Sequence, residues 1–167
     1  MRQIKLILLS ISFLLFFNSC GSIVKNIAIK KMTVENGAIP QEFGKDETIL
    51  ICVLKGRNSR DKYLKKNIKE NYKGKYEFVL ESELSSDKYK DTDLYRYLFD
   101  FRTEFITSHG YNNVTNKMQI DHVPTSIYYI LDRKTKKYYE SGVSSGFFAR
   151  LIQAYAINME KVRLANQ

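Results

Sequence analysis

Residues Ile49 to Leu54 (ILICVL) are six apolar residues in a row, three of them β-branched, set between Glu47-Thr48 and Lys55-Gly56. A run this short and this apolar is the pattern of a strand covered on both faces, not of one with a wet side. The strand is predicted over 47–54, and it makes the rest of the chain a matter of what covers it. Cys52 sits in its middle, where a thiol acts as a small apolar packing group.

Gly56 to Ser59 reads as a turn, with Asn58 or Ser59 available to cap a helix reaching about Tyr72. Leu64, Ile68 and Tyr72 recur every four residues and give that helix a narrow apolar stripe. Its remaining surface is basic, with Arg60, Lys62, Lys65, Lys66 and Lys69 against Asp61 and Glu70. These five cations are the candidate contact surface for an anionic partner, and a solvated helix face is the plainer reading. Gly74 is placed to end the helix. Tyr76 to Glu81 then reads as a second strand, parallel to the first through the intervening helix, and residues 83–92 as polar loop.

The segment Leu94 to Ile106 (LYRYLFDFRTEFI) fits two periods. As a helix it aligns Leu94, Leu98, Phe101 and Phe105. As a strand it puts Tyr95, Tyr97, Phe99, Phe101 and Phe105 on one face and Arg96, Leu98, Asp100, Arg102 and Glu104 on the other. The strand separates aromatic from charged residues more cleanly, and aromatic residues suit strands. Residues 107–124 read as a polar connection, in which Asn113-Val114-Thr115 matches a glycosylation triplet that belongs to eukaryotic secretion. Thr125 to Asp132 and Lys137 to Glu140 form a hairpin. A last helix, from about Gly146 to Leu164 and capped by Ser144 or Ser145, turns Phe148, Leu151, Ile152, Tyr155, Met159 and Val162 to the core. The expected fold is α+β: two layers, one mixed sheet in the order β-α-β-β-β-β-α, with two helices packed on it.

The chain starts with MRQIKLILLSISFLLFFNSC, in which Arg2 and Lys5 precede an apolar run from Leu6 to Phe17 broken by Ser10 and Ser12. That is the layout of a secretory signal, and the run falls short of the roughly 20 residues of a membrane-spanning helix. A lone cysteine, Cys20, closes it before Gly21-Ser22. The segment resembles a bacterial lipoprotein signal of the looser Bacteroidota type, with Phe17 and Asn18 departing from the commonest lipobox. The resemblance implies cleavage before Cys20, diacylation of its thiol and acylation of its amine. Several acyl chains anchor stably where one does so only marginally. Gly21 in place of an acidic residue, and no acidic cluster after it, imply the outer membrane facing the periplasm. Residues 1–19 are then the signal, 20–46 a lipidated start and tether, and 47–167 one α+β domain. In the tether Gly37, Pro40 and Gly44 punctuate polar sequence and Ile27 to Val34 hints at a strand; as flexible chain it spans about 30 Å, and packing as an edge strand is the alternative.

Residues 1–19 carry Arg2 and Lys5 and no acid, so the chain from Cys20 onward holds +7 of the formal +9. An exported protein of that sign is drawn to anionic lipid, lipopolysaccharide phosphates or acidic envelope proteins, and nucleic acid is not expected to meet it. With Cys20 acylated, Cys52 stands alone, which excludes an intramolecular disulfide, a C-x-x-C pair and a cysteine zinc cluster. Only His109 and His122 are available to a metal, and no cofactor is expected. No nucleophile elbow, Walker loop, H-E-x-x-H or dinucleotide fingerprint occurs, so no catalytic residue is assigned. Twelve tyrosines without a tryptophan stand out. Tyr128 and Tyr129 must point to opposite faces of their strand, leaving a choice between an aromatic binding face and one covered by helices.

Two likenesses hold at the level of element order alone. The order is similar to that of small α+β domains in periplasmic envelope lipoproteins, including some that help assemble lipopolysaccharide transport. Val123-Pro124-Thr125, the strand and hairpin after it, Gly142 and the last helix also resemble the second half of a thioredoxin-like fold. That resemblance makes Pro124 its cis-proline and puts a ligand or catalytic site beside it. No cysteine lies in Gly56 to Asp61, so it implies no redox pair. The function expected is a binding or structural module of the envelope, with the thioredoxin-like reading as the alternative.

Overall fold

The computed structural model describes residues 19–112, 114, 116–142 and 146–167. The signal segment up to residue 18, the Ser144 and Ser145 caps, and Asn113 and Thr115 of the triplet lie outside them. In chain order the elements are α1 (Ser19–Lys31), β1 (Leu50–Leu54), α2 (Asn58–Asn71), β2 (Tyr76–Leu80), β3 (Tyr97–Asn112), β4 (Lys117–Asp132), β5 (Lys137–Glu140) and α3 (Phe148–Ala165). The fold is α+β, with helices packed on one mixed five-stranded sheet of order β2-β1-β3-β4-β5.

β1 is the central strand the apolar run required. It pairs in parallel with β2 on one side and with β3 on the other. Alternation then splits the run between two cores. Leu50, Cys52 and Leu54 join a large core with Leu64 and Ile68 of α2 and Tyr72 just after it, Leu151, Ile152, Tyr155 and Met159 of α3, and Ala28 of α1 and Met32 just after it. Ile51 and Val53 face the opposite side, where Val79, Leu98, Tyr89 and Tyr95 form a smaller core. The chain between β2 and β3 covers that side with two 3-10 turns, Glu81–Glu83 and Asp87–Tyr89. The Tyr89 and Tyr95 hydroxyls both donate to Glu77, each at 3.2 Å.

Residues 97–106 are strand, as aromatic alternation predicts, but Tyr95, expected on the same face as Tyr97, precedes the strand and joins the smaller core. Tyr97, Phe99 and Phe101 enter the large core while Leu98 enters the small one. The helix required there by the thioredoxin-like likeness is not formed, and among the described residues no peptide bond is cis. Tyr128 is buried under α3 and Tyr129 faces the other way, its ring tilted against that of Tyr138 with centroids 5.3 Å apart.

Three expectations are corrected. Residues 20–46 are not a tether or an edge strand: α1 runs to Lys31, and Ala28, Met32, Ala38, Ile39 and Phe43 are buried. Asn158 of α3 holds the end of α1 by donating its amide to the carbonyls of Ile29 at 2.8 Å and Met32 at 2.6 Å. The Tyr155 hydroxyl donates to the Ala38 carbonyl, and Arg96 bridges Asp132, Glu42 and Asp46. Among the described residues α1 thus adds a third helix, lying against α3. Second, residues 107–124 are not a connection, because β3 and β4 stay paired in unbroken register from Tyr97↔Asp132 to Asn112↔Lys117. Third, Arg57 and not Asn58 or Ser59 precedes α2, without a side-chain cap; Asp61 instead accepts the Lys55 amide at 3.1 Å and closes the turn.

Candidate functional site

The features that bear on function gather at one end of the domain. β1 leads through Lys55–Arg57 directly into α2, so the carboxyl end of β1 lies beside the amino end of α2. The Arg60 guanidinium stands 5.2 Å from the Phe101 ring of β3 and 5.1 Å from the Phe148 ring, which opens α3. Gly21, in the first turn of α1, lies against Arg150 of α3, whose Nε would be 3.2 Å from a Cβ at that position. All three helices thus begin at the same end, and their partial positive charges add to the cations there. β3 runs parallel to β1, so its extension past Phe101 also leaves the sheet at this end.

Strand β1 hands the chain to the helical side of the sheet, and β2 hands it to the other side. Such a switch opens a crevice at the carboxyl ends of the strands. Here the crevice is occupied by the protein's own charges. Lys55 Nζ lies 2.8 Å from Asp100 Oδ2 and 2.8 Å from Glu81 Oε1, and the Tyr129 hydroxyl donates to Asp100 Oδ2 at 2.9 Å. Burial pulls the Lys55 amine down, but its bonds to Asp100 and Glu81 outweigh that and leave its pKa raised. Burial pushes the Tyr129 phenol up, and the Asp100 carboxylate pushes it further. A lysine held charged between two carboxylates is neither a base nor a nucleophile. Next to it an open cleft of about 450 Å³ is lined by Leu54, Lys55, Gly56, Leu80, Glu81 and Ser82.

The five predicted cations divide. Arg60 is a partly buried clamp between α2, β3 and α3, and its Nη1 reaches Thr103 Oγ1 at 3.4 Å. Lys62, Lys65, Lys66 and Lys69 are exposed, opposite Leu64 and Ile68, and form one stripe on the solvent side of α2. Glu70 approaches Lys66 at 4.0 Å on the margin of that stripe. Arg150 extends the basic surface toward α1: with Tyr63, Lys66, Asn67 and Glu70 it lines a shallow cleft of about 280 Å³ between α2 and α3. Cys20 is the second residue of α1, one position from the contact with Arg150. Cys52 is fully buried, and burial alone pushes its thiol far up, out of reach of thiolate chemistry.

Lys55, Asp100 and Arg150 were not picked out by sequence reasoning. Asp100 had one signal, a lone acid inside the apolar run YLFDF. Lys55 and Arg150 had none, since each depends on a partner distant in the chain. Among the described residues no group of three or more His, Cys, Asp or Glu is arranged to hold a metal ion, and no described helix is long and apolar enough to cross a membrane. Comparison with protein-family models, with curated proteins and with solved structures finds no match.

Proposed function

We propose that the chain is a lipid-anchored protein of the bacterial envelope, held through acyl groups on Cys20 in the outer membrane and facing the periplasm. In this reading it works as a binding or structural module and not as a catalyst. The observation that carries it is the position of Cys20 on α1. The helix starts beside that residue and its far end is bonded into α3 by Asn158. Acyl groups there hold a folded domain directly, with no flexible spacer, and bring the basic amino ends of the helices to the membrane. The crevice at the strand ends supports the non-catalytic part, because Lys55, Asp100 and Tyr129 use their reactive groups on one another.

The exposed lysines of α2, with Arg150, support an anionic partner, either lipid headgroups, lipopolysaccharide phosphates or an acidic envelope protein. Intact mass and membrane fractionation of the wild type beside Cys20→Ala test the anchor. Acyl mass and flotation with outer membrane, both lost on substitution, are expected; an unacylated, freely soluble wild type overturns it. Crosslinked envelopes that yield only the bait count against the module.

A further inference from the structure

The β3–β4 hairpin outgrows its sheet. β1 is paired with β3 only as far as Phe99, and β5 with β4 only from Tyr129 onward. From Glu104↔Thr125 to Asn112↔Lys117 the two strands pair with each other and with no other described strand, an arm about 27 Å long at the usual strand rise. A two-stranded ribbon without a third strand or a helix against it is marginal in water. This one also carries an apolar side. Phe105 and Tyr111 alternate on β3, with Ile120 and Met118 opposite His109 and Tyr111 on the same face, and these four are 69, 57, 58 and 66 % exposed. In a chain of +9, residues 103–126 hold only one lysine and two acids, Lys117, Glu104 and Asp121.

Three independent features meet at the end from which the arm projects. Cys20, the residue proposed to carry the acyl groups, lies in the first turn of α1 there. Arg57 immediately precedes α2, Arg60 lies in its first turn with Lys62 just beyond, and Arg150 lies in the first turn of α3. The arm adds the exposed apolar and aromatic side chains of Phe105, Tyr111, Met118 and Ile120. Acyl anchor, cations and amphipathic surface together match the three parts of a phospholipid leaflet: chains, anionic headgroups and the boundary between them. The ribbon is unsuited to crossing the hydrocarbon, because its two open edges would leave backbone groups unpaired. Lying along the surface, it keeps both edges wet and buries one face.

We infer that the β3–β4 arm is a second membrane contact, which lays Phe105, Tyr111, Met118 and Ile120 into the headgroup boundary of the phospholipid leaflet holding the anchor. The inference rests on the membrane reading above, but it is measured separately. The full-length protein, purified from membranes, is reconstituted into phosphatidylethanolamine–phosphatidylglycerol vesicles with an environment-sensitive fluorophore on Met118→Cys. A second sample carries it on Lys134→Cys, in the β4–β5 turn at the other end of the domain. Blue-shifted emission and quenching by spin-labelled lipid are expected at 118 and not at 134. Changing Phe105, Tyr111 and Ile120 together to Ser is expected to lower the quenching by roughly tenfold; near-ultraviolet circular dichroism checks that the core is intact. A label at 118 that stays in water on an acylated, floating protein overturns the arm contact and leaves the anchor standing. An unacylated protein whose label enters added vesicles supports the arm and overturns the anchor. Crosslinks between arms of two copies, without lipid quenching, assign the apolar face to a second copy and overturn the inference.

Discussion

Lys55 and Asp100, 45 positions apart in the chain, meet at 2.8 Å where β1 ends and β3 leaves the sheet. Asp100 is only 6 % exposed, so it depends on this ammonium for charge compensation and, with it, on the Tyr129 hydroxyl and the Phe101 amide for hydrogen bonding. Lys55→Met removes the cation and leaves a buried carboxylate with two neutral donors, the Tyr129 hydroxyl and the Phe101 amide. A loss of roughly 2–3 kcal/mol is expected, read as a lower urea midpoint at unchanged slope. Asp100→Asn is expected to cost less, because Lys55 keeps Glu81 at 2.8 Å. Equal stability of wild type and Lys55→Met would remove the ion network from the account of the crevice.

Arg60 and the exposed lysines are expected to separate cleanly under mutation. Arg60→Ala loses two cation–ring contacts and the tie to Thr103, a cost of about 1–2 kcal/mol. Changing Lys62, Lys65, Lys66 and Lys69 together to Glu leaves the core untouched, so each change shifts stability by less than about 0.5 kcal/mol. The same charge reversal is expected to abolish the salt-sensitive part of binding to anionic vesicles. Binding that ignores both salt and the reversal speaks against the stripe as an anionic contact.

The acid limit of stability is set in part at Asp132. Burial works to raise its pKa, but Arg96, at 2.9 and 3.2 Å, and the amides of Lys134 and Thr135 hold it below the usual carboxylate value. A carboxyl with a lower pKa when folded stabilises fully above the unfolded value of about 3.9. That contribution fades as pH falls through the folded value. Asp132→Asn is expected to be less stable at neutral pH by about 2 kcal/mol and to lose less on going from pH 4 to pH 2. Parallel acid unfolding curves for the two proteins would exclude this source.

How much of this was readable in advance follows from range along the chain. β1, α2, β2, the β4–β5 hairpin and α3 announce themselves by periodicity within one element, and the aromatic alternation of 95–105 settled strand over helix. The arm did not, because Thr107, His109 and His122 interrupt its apolar alternation and its Asn and Thr residues imitate a loop. α1 did not, because Ile27, Ile29 and Val34 have strand propensity and tertiary contacts with α3 override it. Gly37 and Gly44 read as linker punctuation, yet they are turn residues with φ of +72° and +84°. Of the candidate surface, the four lysines were visible from helical spacing. The roles of Arg60, Lys55 and Arg150 were not, since each is defined by a residue dozens of positions away.

The correction at residues 20–46 carries its own test. Asn158 is 4 % exposed, and its amide nitrogen donates to two carbonyls at the end of α1, groups that have no partner within the helix. Asn158→Leu keeps the approximate volume but leaves those carbonyls buried without a donor. The expected cost is roughly 2–3 kcal/mol, with amide exchange accelerating first in residues 22–32, since α1 is joined to the fold mainly through α3. Were 20–46 a tether, the same substitution would leave exchange there unchanged and already fast in the wild type. The functional consequence follows from the same bonds. An anchor on a detached α1 restores slack between membrane and domain, so Asn158→Leu is expected to reduce lipid quenching at position 118 while acylation of Cys20 is unaffected.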